Sequence, residues 1–310
     1  MSLEEKITKL KSQLSPEKQQ LLEKRLRVAK PSFACDAPDL QPEIVTKLNL
    51  SVSKNWVLDE HRIMGKATLP GTAYLEIART ACENYFPNCV ISLKEVYFFM
   101  PLIVEDWEEK EVRTILKKQQ YGFEFLIVSN SNLDSDSWIE HTKGKITCEE
   151  LSPPIKHEIS QIESNLNQDN IVIVQKTFQS EMMEWGARWS NCKWIKLGEN
   201  QGLARLELPE AFTDDCKTYK LHPALLDSAT GFLTVNFQQA GPFLPFSYKS
   251  LKIKGNLPSK LYSYIKVIGN NQSQTETLTF NVTIMDDQGT ELVEIEEYTL
   301  RKFRTQQLFL

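Results

Sequence analysis

His61-Arg62-Ile63-Met64-Gly65-Lys66-Ala67-Thr68-Leu69-Pro70-Gly71-Thr72-Ala73-Tyr74-Leu75-Glu76 is the stretch on which the reading of this chain turns. It sets a histidine on a loop, a glycine four residues on, and a proline five further at the start of an apolar-periodic segment. Beyond Pro70, residues Tyr74, Ile77, Ala78, Ala81, Cys82 and Tyr85 recur at helical spacing. Proline suits a first helical turn, because its fixed φ fits there and its missing N–H would lack a partner anyway. The segment therefore predicts a loop, a tight turn and a buried helix of about four turns. A helix N-terminus offers free N–H groups and a partial positive charge. A base beside such donors is the arrangement that proton abstraction next to a carbonyl requires.

His61, Gly65 and Pro70 resemble the HxxxGxxxxP motif of dehydratase domains from modular polyketide synthases, and Gly71, Ala73, Tyr74, Leu75 and Glu76 resemble its continuation. The resemblance implies an α+β double hot-dog fold, in which each of two units wraps a curved antiparallel sheet around one long helix. It also implies removal of water from β-hydroxyacyl groups carried as thioesters on the phosphopantetheine of an acyl carrier protein. No cofactor is expected beyond that carrier arm. The implied partners are the carrier and neighbouring synthase domains, with homodimerisation left open.

Composition agrees with such a domain. The chain has 310 residues, 41% hydrophobic and 25% charged, ordinary values for a globular protein with room for a sizeable core. Its net charge of −5 argues against nucleic-acid binding, which depends on clustered Lys and Arg. No apolar run approaches the roughly 20 residues that cross a bilayer. The charged, amphipathic residues 1–27 predict neither a signal peptide nor a membrane anchor. Cys35, Cys82, Cys89, Cys148, Cys192 and Cys216 show no CxxC pair and no metal-ligand spacing, so reduced thiols, a cytoplasmic location and no metal are expected.

Residues 1–34 predict a helical arm, with capping signals at Ser2 and Ser15-Pro16-Glu17. Residues 35–150 predict the first unit, carrying His61: a strand over 48–57, the helix after Pro70, then a run of β-rich segments from Val90 to Thr147. His141 lies in Trp138-x-x-His141-x-x-Gly144, which also resembles the family, and reads as a strand-surface residue. Residues 151–170, with Ser152-Pro153-Pro154, predict a linker. Residues 171–305 repeat the plan: strands, a proline-led helix from Pro223 to about Phe237, and four further strands. Strands and helices in this order exclude a doubly wound parallel sheet.

The second half carries His222-Pro223-Ala224-Leu225-Leu226-Asp227. Asp227 follows three apolar residues, whose desolvation would raise its pKa and let it donate a proton near neutrality. On the residues alone, an aspartate in a first helical turn is usually just a favourable partner of the helix dipole. By resemblance to the DxxxQ/H motif, Asp227 is the acid facing His61 as base, and N–H groups at Gly71 steady the enolate. Gly65, Pro70, Gly71, Trp185, Gly186 and Gly231 then line the substrate pocket.

Two departures from the pattern stand out. Gly231 occupies the place of the Gln or His that would hydrogen-bond the acid, and Trp185-Gly186-Ala187-Arg188-Trp189 replaces YGPxF. Trp185 has an N–H but no hydroxyl, and is the candidate replacement donor together with water. Three readings follow: dehydration, the same His/Asp pair used for double-bond isomerisation or oxa-Michael cyclisation, and a non-catalytic scaffold. Glu181 and Glu184 read as a solvated helical face, and Arg188 as the partner of a surface acid.

Overall fold

The computed structural model describes residues 43–86, 89–131, 137–150, 152–166, 171–172, 182–240, 242–269 and 276–303. The helical arm expected over residues 1–34, with Cys35, and Glu181 lie outside the described residues.

In the first half, β1 (Ile44–Ser51) leads into the short helix α1 (Trp56–Asp59), β2 (His61–Ile63) and β3 (Lys66–Ala67). The central helix α2 (Gly71–Cys82) follows, then β4 (Val90–Phe98), β5 (Glu109–Gln119), β6 (Gly122–Asn130) and β7 (Trp138–Glu149). Helix α3 (Ile159–Ser164) opens the second half, with β8 (Ile171–Val172), β9 (Met183–Trp185), β10 (Cys192–Gly198) and β11 (Gln201–Glu207). Helices α4 (Asp215–Thr218) and α5 (Pro223–Gly231) precede β12 (Phe243–Ile253), β13 (Lys260–Ile268), β14 (Thr277–Met285) and β15 (Glu291–Lys302).

Twelve strands form one antiparallel sheet in the order β1-β5-β6-β7-β4-β12-β15-β14-β13-β11-β10-β8. The halves meet at its centre, where β4 pairs with β12. Strands β5, β13 and β15 alternate buried and part-exposed residues, the period-two pattern of a sheet with one face on a core. Helix α2 packs on β4, β5, β6 and β7, while α5 packs on β11, β13 and β14 and also touches α2. Leu75 and Leu225, both fully buried, anchor the two helices at about 1.5–3 kcal/mol each.

Several boundaries differ from expectation. The strand predicted over 48–57 ends at Ser51, because Asn55 accepts the Ser51 N–H through its side chain (2.9 Å) and turns the chain into α1. Pro70 is the extended residue ahead of α2, not its first helical residue. The helix closes three turns before a 3-10 turn at Glu83–Tyr85. After Gly231, α5 likewise tightens to 3-10 geometry over Phe232–Ala240. The stretch expected as linker carries α3, and its His157 docks on the β14–β15 turn through a backbone bond to Gly289 (2.8 Å) and a ring contact to Glu291 (2.6 Å).

Two expectations are corrected. Cys89 and Cys148 are joined in a disulfide, with Cα atoms 5.8 Å apart, because the β4–β7 pairing brings those strand ends together. Cys82, Cys192 and Cys216 are free thiols. His141 is buried rather than on the strand surface: its Nδ1–H donates to Met100 O (2.9 Å) and its Nε2 accepts from Ser129 Oγ (2.8 Å). Among the described residues, no helix is long and apolar enough to cross a membrane.

The polar residues inside α2 tie the halves together. Glu76 accepts Arg79 Nε at 2.7 Å and Nη2 at 2.9 Å, and also the backbone N–H groups of Lys220 and Leu221, each at 3.0 Å. Thr72 Oγ1 donates to Pro223 O (3.0 Å), so the start of α2 is bonded to the start of α5. Replacing Glu76 by Ala removes the closest partner of buried Arg79, leaving it only part-exposed Glu83 (3.3 Å) and Thr80 Oγ1 (2.9 Å), and strands two N–H groups without an acceptor. A loss of about 3–5 kcal/mol is expected in urea denaturation.

His141 has a separate signature. Burial lowers its pKa from 6.5 to about 4. The unfolded chain therefore binds the extra proton first, and stability falls as pH drops between those values, by roughly 3 kcal/mol in all. Denaturation at pH 7 and pH 4 should show a difference that shrinks by about that amount in His141→Gln.

Candidate functional site

The short sheet β3-β2-β9 joins the two halves by backbone pairing. His61 pairs with Trp185 across β2 and β9, and the Met64 N–H bonds to Met182 O (2.8 Å). Met64 (φ +52°) and Gly65 (φ +77°) form the tight turn to β3, both in the left-handed region where glycine is at least cost. That turn returns Thr68 beside His61, with Thr68 N–H donating to His61 O (3.0 Å). In exchange, His61 Nδ1 lies 2.7 Å from Thr68 O. A carbonyl only accepts, so Nδ1 carries the proton and the Nε2 lone pair is free to act as a base.

Glu60, one residue earlier, grips the second half. Its Oε2 accepts the Arg188 N–H (2.7 Å), its Oε1 bonds Arg188 Nη1, and its carbonyl accepts the Gly186 N–H (2.8 Å). A Cβ on Gly186 would lie 2.2 Å from Glu60 Cγ, so only glycine allows this approach. Arg188 also bonds Asp215 (2.7 Å) and is sandwiched between Trp56 (4.4 Å) and Phe212 (4.1 Å). It is thus the centre of a half-buried clamp between halves, not a partner of a surface acid. Trp56 continues the stack onto His222, ring centres 5.2 Å apart. Glu184 does not lie on a helix: Met183–Trp185 is a strand.

On α5, Pro223 occupies the first turn and buried Ala224, Leu225 and Leu226 hold the helix in place. Asn191 Nδ2 adds bonds to Arg188 O (2.9 Å) and Ala224 O (3.1 Å), linking the clamp to the helix. Asp227 lies deep among protein atoms but keeps a partly accessible edge. Its Oδ2 accepts Trp189 Nε1–H at 2.8 Å. The Trp189 ring also packs 5.5 Å from the ring of His61, so one side chain spans the two residues.

Electrostatics set their protonation. Burial pushes the pKa of His61 down, opposed by the charge of Asp227. Burial pushes the pKa of Asp227 up, opposed by His61 and by the Trp189 hydrogen bond. Each group feels the other's charge, and both shifts favour the uncharged pair: a neutral imidazole beside a protonated carboxyl.

Of the residues singled out in the sequence, His61, Asp227 and the 185–189 segment are brought together. Gly71 opens α2 beneath Pro245, whose Cγ would lie 3.0 Å from a Cβ at that position. Gly231 sits one turn beyond Asp227, and a Cβ there would meet nothing within 4 Å. The donor to Asp227 is Trp189 rather than Trp185. Sequence reasoning also left out Glu60, Trp56, Asn191 and Asp215; Trp189, an N–H-bearing ring four residues after Trp185, was the available signal. Among the described residues no group of three or more His, Cys, Asp or Glu side chains is placed to hold a metal ion.

Comparison with known proteins gives a consistent result. Residues 34–130 match the family model described as polyketide synthase dehydratase domain, and residues 171–309 match the one described as polyketide synthase dehydratase N-terminal domain. Polyketide synthase PksM of Bacillus subtilis (strain 168) is 26% identical over 260 residues, covering 79% of this chain and 6% of its own length. Polyketide synthase GfsB of Streptomyces halstedii is 25% identical over 284 residues, covering 85% of this chain and 5% of its own. The chain thus spans about one-twentieth of the curated relatives it matches. Among solved structures, the dehydratase domain from the CurF module of curacin polyketide synthase superposes with a TM-score of 0.77 at 23% identity, covering 87% of this chain and 97% of that one. A trans-AT dehydratase domain from Brevibacillus brevis gives 0.77 at 22% identity, with 84% and 94% covered. The fold is the α+β double hot-dog.

The Trp189 N–H favours the carboxylate form of Asp227, so removing it should raise the pKa of Asp227 further. Trp189→Phe keeps the ring and loses the donor. Carbon-13 NMR of labelled Asp227 should show its titration moved to higher pH, while a titration at or below the wild-type position would contradict the assignment.

Proposed function

This chain belongs to the polyketide synthase dehydratase family, and on that premise we propose that it removes water from β-hydroxyacyl thioesters presented on the phosphopantetheine arm of an acyl carrier protein. The observation that carries the reading is the His61 Nδ1 bond to Thr68 O. It fixes the tautomer whose Nε2 accepts a proton, beside an aspartate that burial holds toward its protonated form.

Nε2 of His61 takes the α-proton, and the electron pair left behind moves into the thioester as an enolate. The first N–H groups of α2, that of Gly71 among them, have no intrahelical partners and steady the enolate oxygen. The β-carbon–oxygen bond then breaks as Asp227 gives its proton to the leaving hydroxyl, and water departs. Because Oδ2 accepts from Trp189, Oδ1 is the oxygen that carries the transferred proton. The cycle leaves imidazolium and carboxylate, and return of the proton from His61 to Asp227 resets the pair. Each positioned group contributes about 10²–10⁴-fold. Double-bond migration and oxa-Michael closure draw on the same base, but departure of hydroxide is the step that needs a protonated Asp227. A scaffold would have no use for a coupled neutral pair with an accessible edge.

His61→Ala and Asp227→Asn should each lower kcat by at least about 100-fold while circular dichroism and Tm stay near wild type. The assay is loss of the mass of one water from a carrier-bound β-hydroxyacyl group; an isobaric product instead marks isomerisation or cyclisation. Wild-type activity should fall at low pH as His61 is protonated, at a midpoint below 6.5 because burial depresses its pKa. It should fall at high pH as Asp227 loses its proton. An acid limb above 6.5 would contradict a buried neutral base.

A further inference from the structure

Tyr248 is among the largest side chains to lie wholly inside the protein, yet its hydroxyl has no partner at hydrogen-bond geometry among the described residues. A buried phenol ordinarily finds one. Tyr74 shows the usual arrangement, its hydroxyl accepting the Leu102 N–H at 3.0 Å.

The surroundings of Tyr248 put it between the two helices that carry the chemistry. It pairs with Tyr298 on β15 and with Val96 on β4, at the join between the halves. Its ring stacks on Tyr298 with centres 4.3 Å apart and meets Phe98 at 6.1 Å. Phe98 in turn borders the start of α2, where a Cβ on Gly71 would lie 3.6 Å from its ring. On the other side is the last turn of α5, where buried Thr230 donates to Leu226 O (2.9 Å) and to Asp227 O (3.3 Å). Burial pushes the pKa of Tyr248 up, the hydroxyls of Tyr298 and Thr230 oppose the rise, and the charge of Asp227 adds to it. The phenol is therefore within electrostatic reach of the acid and keeps its proton at the pH of the reaction.

The leaving oxygen of a β-hydroxyacyl group gathers negative charge as its bond to carbon breaks. Asp227 supplies the proton. A second donor that keeps its own proton steadies that charge without competing for the transfer. Trp189 is committed to Asp227 Oδ2, and the first N–H groups of α2 serve the enolate. Tyr248 has the donor to spare.

We propose that Tyr248 is a further catalytic residue, its hydroxyl donating a hydrogen bond to the β-oxygen of the acyl chain while that oxygen is bound and more strongly as it leaves. No proton passes from Tyr248, so Asp227 remains the acid. The inference rests on the dehydratase reading and adds a residue to it.

Tyr248→Phe removes the hydroxyl and keeps the ring. On a pantetheine-linked β-hydroxybutyryl thioester its kcat should fall by about tenfold or more, toward the scale of one lost transition-state donor. Its Tm should hold or rise, because no protein acceptor is stranded. Tyr74→Phe is the opposite case, since it strands the Leu102 N–H and should lower Tm. A kcat in Tyr248→Phe within about threefold of wild type, or a Tm loss matching that of Tyr74→Phe, overturns the proposal. Affinity supplies a readout without turnover. Pantetheine carrying β-hydroxybutyryl or butyryl through an unreactive amide, titrated calorimetrically, reports what the β-hydroxyl contributes. Wild type should bind the hydroxylated analogue more tightly, and Tyr248→Phe should lose that preference with butyryl affinity unchanged. Loss of the preference, with no turnover of the thioester by wild type, would sink the dehydratase reading and leave the Tyr248 contact standing. An undiminished preference in Tyr248→Phe, or none in wild type, sinks the contact whatever the activity.

Discussion

The carboxylate of Glu76 is the point at which the two halves of the molecule become one. It sits inside the central helix of the first half, with side-chain exposure of 7%. It neutralises Arg79 on its own helix and accepts two backbone N–H groups just ahead of His222-Pro223. A buried carboxylate is tolerated only with such a set of donors. Because two of the four donors belong to the other half, the ion pair in α2 is completed only when α5 is in place. Thr72 repeats the logic one turn earlier through Pro223 O.

From that join the site follows by short steps. Fixing the start of α5 fixes Asp227 one turn in, and Asn191 carries the same constraint to the segment that bears Trp189. The Glu60–Arg188 clamp then holds that segment against the residue preceding His61. The imidazole and the carboxyl are brought from half a chain apart into a common, largely buried environment, and burial does the chemical tuning. It penalises the charged form of each, which for a histidine means a free base and for an aspartate a held proton.

Periodicity and proline placement made the two central helices legible, and the resemblance of two short motifs to one family made the pair His61 and Asp227 legible. What the chain could not declare were contacts whose partners are remote. Trp189 and Asp227 are 38 positions apart, and which tryptophan reaches the acid depends on the 3-10 turn over Ala187–Trp189. Cys89 and Cys148 are 59 apart and meet only because β4 pairs with β7. His141 sits on a strand with alternating polarity, yet its ring is covered by the segment around Met100. Pro70 and Pro223 look alike in sequence but differ in place. One is the extended residue before its helix, the other the first residue within it.

The join between β2 and β9 bears on how such a pocket changes over time. His61 is aligned with Trp185 through main-chain groups, which every residue but proline supplies equally. The alignment is therefore indifferent to what projects from position 185, so a tyrosine there can drift to tryptophan without unseating the histidine. Strand pairing acts as a mount that stays fixed while the side chains around it are exchanged.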